Sequence, residues 1–386
     1  MRNTMRRKTQ FPCTIMRGGT SKGIFLREKD LPRDPALRER IILAVFGSPD
    51  SRQIDGLGGA DSLTSKLAII APSCQPDRDV DYTFGAVGID RAFVDYSSNC
   101  GNISAAVGPY AVDAGLVKAI APFTVVRIRN TNTGKLIRAK VPVADGKFAP
   151  DGDYAIAGCP GTGARIELTF LDPGGAATGR LLPTGNVVDE VSLHGGQRFR
   201  VTVVDAGNPT AFVRAEELGL RGDELPADFA RDRTAGATLE AIRRKVGELM
   251  AILVTQSIPK IAFVAPGRAY RATTGETIAG ESVSLLARVM AMGTMHKAFA
   301  ITAAIPAAIG AVLPGSVVAG ALSGRPPRPA DDPIVIGHPA GTMDVKVEAQ
   351  FRTDGPFIAG CTVARTARRI MDGRVSVPRR VYDAGA

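Results

Sequence analysis

Tryptophan is absent from this chain, and aromatic residues make up only 5% of it. Little material is therefore available for stacking nucleic-acid bases or sugar rings. Histidine occurs only at positions 194, 296 and 338, with no carboxylate or cysteine at ligand spacing, so no metal site is expected. The five cysteines, at 13, 74, 100, 159 and 361, are scattered and odd in number, and no C-x-x-C pair occurs. They read as free thiols in a reducing compartment rather than a disulfide framework. No G-x-G-x-x-G follows an early strand and no G-x-x-x-x-G-K-[ST] is present, so dinucleotide and P-loop folds have no support.

The apolar stretch 298–318, "AFAITAAIPAAIGAVLPGSVV", is broken by Pro306, Gly310 and Pro314. It reads as a buried helix, not a membrane span. The N-terminal "MRNTMRRKTQFPC" is basic but has no apolar run behind it, so a signal peptide is not expected and the cytoplasm is the default. The net charge of +10 points to anionic partners. The basic residues are dispersed, with local density only at 1–8 and 365–374 and no interleaved aromatics, which disfavours nucleic acid.

At 386 residues the chain can bury two cores. Strand patterns recur at 13–18, 23–26, 67–73, 80–89, 165–173 and 199–207. The stretch 124–143 reads as a hairpin turning at Asn-Thr-Gly. Helices are expected at 35–48, after Asn102, at 238–254, at 281–293 and after Thr294. Many strands around few helices indicate an α+β fold. There is also an internal echo. "MRGGTSKGIFL" (16–26) and "VVDAGNPTAFV" (203–213) are each strand, glycine turn, strand. Each precedes a glycine-containing loop opening a small-residue helix, "NCGNISAAVG" and "MGTMHKAFAITAA". Two related halves would then present two helix N-termini, whose free N–H groups suit a di- or tricarboxylate.

Cys100 precedes one such helix, where the dipole favours a thiolate; the alternative is a small buried apolar residue. Cys13, Cys74, Cys159 and Cys361 read as the latter. Asn99 and Asn102 can orient a carboxylate or enolate oxygen. In "DGLGGADSLTSKLAII" a bend carrying Asp55 and Asp61 leads through Thr64 and Ser65 to Lys66 at the start of an apolar strand. Lys66 is either a desolvated general base or a solvent-facing strand residue. Gly18, Gly19, Thr20 and Ser21 form either an oxyanion-binding loop or a plain turn, and Arg17 and Lys22 face either the site or solvent. His194 reads as exposed and His338 as a turn residue. His296 begins the second-half helix and either caps it or meets a substrate carboxylate.

"MRGGTSKG", "RQIDGLGGADSLTSKLAII", "VDYSSNCGNISAAVGP", "LLPTGNVVD" and "IGHPAG" resemble the proline-racemase and diaminopimelate-epimerase superfamily. Within it they are similar to the branch of 3-methylitaconate Δ-isomerases, 2-methylaconitate isomerases and 4-oxalomesaconate tautomerases. The resemblance runs from about residue 12 to about 375. It implies a diaminopimelate-epimerase-like α+β fold of two similar halves, each a curled sheet around a central helix, with the active site in the cleft. The halves would be 1–188, joined by 366–386, and 189–365. Epimerases of the superfamily use one cysteine from each half. Here Cys100 matches the first, and Thr294 and Met295 stand in the second-half loop, so a two-thiol racemase is not expected.

The resemblance further implies that Lys66 and Cys100 are catalytic. Arg17, Gly19, Thr20, Ser21, Ser65, Asn99, Gly101, Asn102, Asn208, Thr294 and His296 would bind substrate. The implied reaction shifts a C=C bond in a small unsaturated di- or tricarboxylate, by proton abstraction and return through a dienolate. Lys66 takes the first proton and Cys100 returns one, or the two act in the opposite order, with the amides near Gly101 and Asn102 and the hydroxyls of Thr20 and Ser21 holding the charge. No metal, flavin or nicotinamide is called for, and a homodimer is expected by resemblance alone. The competing readings are an oxalomesaconate, aconitate or 2-methylaconitate substrate, and a non-catalytic carboxylate-binding protein. The second has no need of both Lys66 and Cys100.

Overall fold

The computed structural model describes residues 8–291, 293–322, 332–353 and 355–383. The basic segment 1–7, Met292 of the second-half loop and 384–386 of the C-terminal stretch lie outside the described residues. Its helices are α1 (Pro35–Phe46), α2 (Gly101–Asp113), the single turn α3 (Pro226–Phe229), α4 (Arg233–Leu249) and α5 (Ile301–Val312). Strands provide most of the remaining framework, in an α+β arrangement.

The expected repeat is visible in strand pairing. In the first half β1 (Gln10–Gly18) and β2 (Ser21–Arg27) form a hairpin, turning at Gly19, whose φ of +51° is left-handed. Next, β3 (Lys66–Pro72) lies parallel to β2, with Gly23 opposite Lys66, and β4 (Val80–Val87) runs antiparallel to β3. After α2, strand Phe123–Asn130 runs parallel to β4 and forms the expected hairpin with Leu136–Ala144. The second half follows the same plan. Strands Arg198–Ala206 and Asn208–Arg214 form a hairpin about Gly207. Strand Lys260–Pro266 lies parallel to the latter, with Thr210 opposite Lys260, and Leu285–Ala291 runs antiparallel to it. After α5, Ile334–His338 runs parallel to Leu285–Ala291 and pairs with Gly341–Arg352.

The C-terminal strands return to the first half. Ala367–Ser376 pairs with β1, and Gly355–Arg365 pairs with Ile166–Leu171, so the first-half sheet takes in chain upstream of residue 366. Gly341–Arg352 crosses between the sheets, pairing with Ile334–His338 up to Val345 and with Gly355–Arg365 from Lys346.

Small residues explain why α2 and α5 lie inside. In α2 every residue from Gly101 to Val112 is buried, and in α5 every residue from Ile301 to Ala311. A helix apolar on all sides has no solvent face, and each of these threads a curled sheet. The sheet wraps closely enough that a Cβ on Gly108 would lie 2.7 Å from Val141. The two helices also meet end to end: a Cβ on Gly101 would lie 2.6 Å from Cβ of Ile301. By contrast α4 buries one stripe, Leu239, Ile242 and Val246, and is capped by Asp232 accepting from the Ala235 N–H. No helix of the described residues is long and apolar enough to cross a membrane; Pro306 lies within α5 and Pro314 beyond its end.

Three expectations are corrected. The helix expected at 281–293 is the strand Leu285–Ala291. It has neighbours on both edges, and Leu285 to Val289 are all buried, so its apolar run lacks the alternation that marks a strand. The second-half helix does not begin at Thr294. Thr294–Met295 turns back about Gly293, φ +81°, to pair with Met290–Ala291, and α5 starts at Ile301. Cys74 is exposed and Cys159 half-buried, so neither is a core residue. One further pattern is inert: Gly19-Thr20-Ser21-Lys22-Gly23 spells G-x-S-x-G, but Ser21 opens the second strand of a hairpin, not the strand-to-helix elbow of a hydrolase.

Gly101→Ala is expected to cost about 1–3 kcal/mol by overpacking where α2 meets α5. Gly236→Ala on α4, with nothing within 4 Å of its Cβ, is expected to be neutral or stabilising. Denaturant unfolding of both variants checks the contrast; equal effects would contradict the end-to-end packing.

Candidate active site

Where α2 and α5 meet, their first turns line a cavity of about 70 Å³. The first-turn amides of Gly101 and Asn102, and of Ile301 and Thr302, have no partner within their own helices, and both positive dipole ends point here. Cys100 is the N-cap of α2, in extended conformation, and its side chain makes no cap hydrogen bond. Ser or Asp at that position would cover an amide with its own oxygen. Cys100 leaves the amides to a ligand and places a thiol beside them.

Lys66 reaches the same point from the first residue of β3. Its Nζ donates to Cys100 Sγ at 3.2 Å and to Ser21 Oγ at 2.9 Å. Ser21 opens β2, so three elements converge on one amine. The backbone ahead of Cys100 is pinned from the other half. Asn208 Oδ1 accepts from the Asn99 N–H at 3.0 Å, while its Nδ2 donates to the Asn99 carbonyl at 3.2 Å and to Thr302 Oγ1 at 3.1 Å. The Asn208 side chain thus imitates one rung of a β-ladder. On the first-half side Asn102 Nδ2 donates to Thr20 Oγ1 at 3.2 Å. A Cβ on Gly19 would lie 2.1 Å from Asn102 Oδ1, so this turn requires glycine for space as well as for φ.

The sequence-predicted residues therefore separate by position. Lys66, Cys100, Asn99, Gly101, Asn102 and His296 line the cavity. Thr20, Ser21 and Asn208 stand behind them as supports, with Gly19 making the close turn. Arg17 and Ser65 do not line it. Arg17 Nη1 donates to the carbonyls of Gly19 and Thr366 and to Thr366 Oγ1, each at 3.0 Å, bracing the hairpin. Ser65 Oγ donates to the Val87 carbonyl and accepts from Gln53 Nε2, wholly within the fold. Thr294 lines an outer cleft of about 870 Å³, which shares Ser62, Leu63 and His296 with the inner cavity. By position at a helix start, the counterpart of Cys100 is Ala300, the N-cap of α5, rather than Thr294 or Met295.

His296 lies in the loop ahead of α5, buried, with Nδ1 accepting the Ala298 N–H at 3.0 Å. That bond leaves the ring proton on Nε2. Burial, and then the charges of Lys66 and Lys260, push its pKa down to about 3, so the ring is a neutral donor. His338 is a buried strand residue whose Nδ1 accepts from Ala340, and His194 is exposed as expected.

Sequence reasoning missed Lys260 and Ser257, both of which line the cavity. Lys260 opens strand Lys260–Pro266, and its Nζ donates to the Ser257 carbonyl at 3.1 Å. The signal was present: "KIAFVAP" (260–266) repeats "KLAIIAP" (66–72). Among the described residues no group of three or more His, Cys, Asp or Glu could hold a metal ion.

The family described as PrpF protein matches residues 8–378. The 3-methylitaconate isomerase of Eubacterium barkeri is 48% identical over 96% of this chain and 98% of its own length. The 2-methyl-aconitate isomerase of Shewanella oneidensis is 40% identical over 95% of this chain and 96% of its own. A crystal structure of a methylitaconate-delta-isomerase, 47% identical, superposes with a TM-score of 0.79 over 96% of each chain. The fold is diaminopimelate-epimerase-like.

Asn208→Ala strands the buried Asn99 amide and carbonyl and is expected to cost about 1–3 kcal/mol. Denaturant unfolding measures this; wild-type stability in the variant would contradict the pinning role.

Proposed function

The chain belongs to the PrpF protein family, and from that premise we propose that it is an isomerase that moves a C=C bond within a small unsaturated dicarboxylate, without a cofactor. The observation that carries the reading is the Lys66–Cys100 contact of 3.2 Å at the N-terminus of α2. The preferred substrate class, 3-methylitaconate-like, rests on the 48% identical relative.

Such a shift needs a proton removed from one allylic carbon and another delivered at the far end of the three-carbon unit. The intermediate is a dienolate, stabilised by donors already oriented in a dry site. The first-turn amides of α2, and Nε2–H of His296, are such donors. A lysine–cysteine pair contains one base and one acid, whether written as amine and thiol or as ammonium and thiolate. In the direction assigned here Lys66 takes the allylic proton and Cys100 donates the thiol proton to the distal carbon. The ammonium and thiolate that remain exchange one proton along their hydrogen bond, and the pair is reset. The reverse reaction exchanges the roles. Every step is a proton transfer, so the chemistry calls for neither redox nor electrophilic help. Five free cysteines support a reducing compartment, the cytoplasm.

Proton NMR in D2O, with no added cofactor, tests the reading on 3-methylitaconate, cis- and trans-aconitate, 2-methylaconitate and 4-oxalomesaconate. The expected result is deuterium at an allylic carbon with a shifted double bond, first with 3-methylitaconate. Cys100→Ala and Lys66→Ala are each expected to lower turnover by about 10²–10⁴-fold. Wild-type turnover in either variant would overturn the assignment of that residue, and silence from folded wild-type protein would overturn the reaction.

A further inference from the structure

We propose that Lys260 is the second-half counterpart of Lys66, and that it binds a carboxylate of the substrate inside the cavity. The identity of the substrate rests on the isomerase reading above; the site itself rests on geometry.

The equivalence is one of register. Ser21 and Asn208 are the first residues of the second hairpin strand in their respective halves, and Gly23 and Thr210 are the third. Gly23 stands opposite Lys66 and Thr210 opposite Lys260, in both cases across a parallel pairing. The next strand is antiparallel in both halves, with Lys66 opposite Ala86 and Ile261 opposite Met290. Two lysines thus start two equivalent strands, and the end-to-end meeting of α2 and α5 brings both to one cavity.

The chemistry around them differs. Cys100 at the α2 cap is matched by Ala300 at the α5 cap, and Ser21 is matched by Asn208. Lys66 has a thiol and a hydroxyl as partners. Among the described residues Lys260 donates only to the Ser257 carbonyl and makes no ion pair. Asp95 is the acid whose charge it feels, but that carboxylate is committed to Ser257 Oγ at 2.6 Å, Ser97 Oγ at 2.6 Å and the Ser97 N–H at 2.8 Å. An ammonium has three donors, so Lys260 retains donor capacity in a cavity that contains no free carboxylate. Without an acid partner it is not equipped for the two-step proton exchange of Lys66 and Cys100. Its remaining role is that of a cation, and a dicarboxylate brings a second anionic group beyond the one conjugated to the dienolate.

The charged groups around Lys260 set its pH response. Burial is the largest influence and lowers its pKa; Cys100 and Asp95 oppose it, Lys66 from β3 and Arg243 from α4 act with it, and the net is a pKa of about 8. His296, in the loop ahead of α5, is neutral. The cation is present below pH about 8 and is lost above it. For free enzyme and substrate, kcat/KM should therefore fall on the alkaline side, and Lys260→Arg should move that fall to higher pH.

The test reads binding apart from turnover. Methylsuccinate, a saturated dicarboxylate with no double bond to move, is titrated against alkylation of Cys100 by iodoacetamide, followed on the Cys100 peptide by mass spectrometry. Wild type should be protected. Lys260→Met should need about 10- to 100-fold more methylsuccinate, and Lys260→Arg should stay within a few-fold of wild type. Thermal melting of Lys260→Met should be no lower than wild type, since the variant removes a cation from beside Lys66 and Arg243. Equal protection of wild type and Lys260→Met, or no protection of wild type, overturns the proposal. Protection behaving as described with no turnover of any unsaturated substrate upholds this site and rejects the isomerase reading.

Discussion

Two buried helices meeting N-terminus to N-terminus are the constraint on which the rest of this structure depends. Each dipole contributes roughly half a positive charge at its start. Here the two starts touch, at Gly101 and Ile301, and Lys66 and Lys260 line the same cavity. Such a convergence is unfavourable on its own, and the fold supports it through apolar burial along both helices. The site favours an anionic ligand, and the proposed dicarboxylate supplies one charge to the two helix starts and a second to Lys260. Small residues serve this arrangement directly, because only glycine at 101 lets the helix starts approach so closely.

The two halves share a plan and divide the labour. The first contributes the proposed acid–base pair, Lys66 and Cys100, which are in contact at 3.2 Å, with Ser21 as a support. The second contributes Asn208, whose amide holds the peptide before Cys100, and His296, a neutral donor. Ala300 stands where a second thiol would be needed for abstraction and return on opposite faces of one carbon. With the thiol on one side only, the site is suited to moving a proton between two carbons rather than inverting one.

Much of this was legible in the sequence, for physical reasons. The hairpins at 16–26 and 203–213 were readable because glycine punctuates them, and α2 because a small-residue run follows Asn-Cys-Gly-Asn. Lys66 and Cys100 were identified as candidates from their places at the start of a strand and of a helix. What was misread depended on tertiary context. Strand Leu285–Ala291 is paired on both edges and carries no alternation, so its pattern is also that of a helix. Arg17 and Ser65 are the right residue types in the right loops, yet Arg17 Nη1 and Ser65 Oγ donate to backbone carbonyls that only the fold brings near. Lys260 went unnoticed although "KIAFVAP" repeats "KLAIIAP", because a lysine opening an apolar strand is ordinary until the strands are seen to be equivalent.

The central claim is that one anionic ligand bridges the two helix starts. The most direct measurement is a crystal structure of the Cys100→Ala variant with a bound unsaturated dicarboxylate. The account predicts one carboxylate on the first-turn amides where α2 and α5 meet, the other on Lys260 Nζ, and an allylic carbon within reach of Lys66 Nζ. A ligand confined to the outer cleft around Thr294, with the inner cavity unchanged, would contradict it.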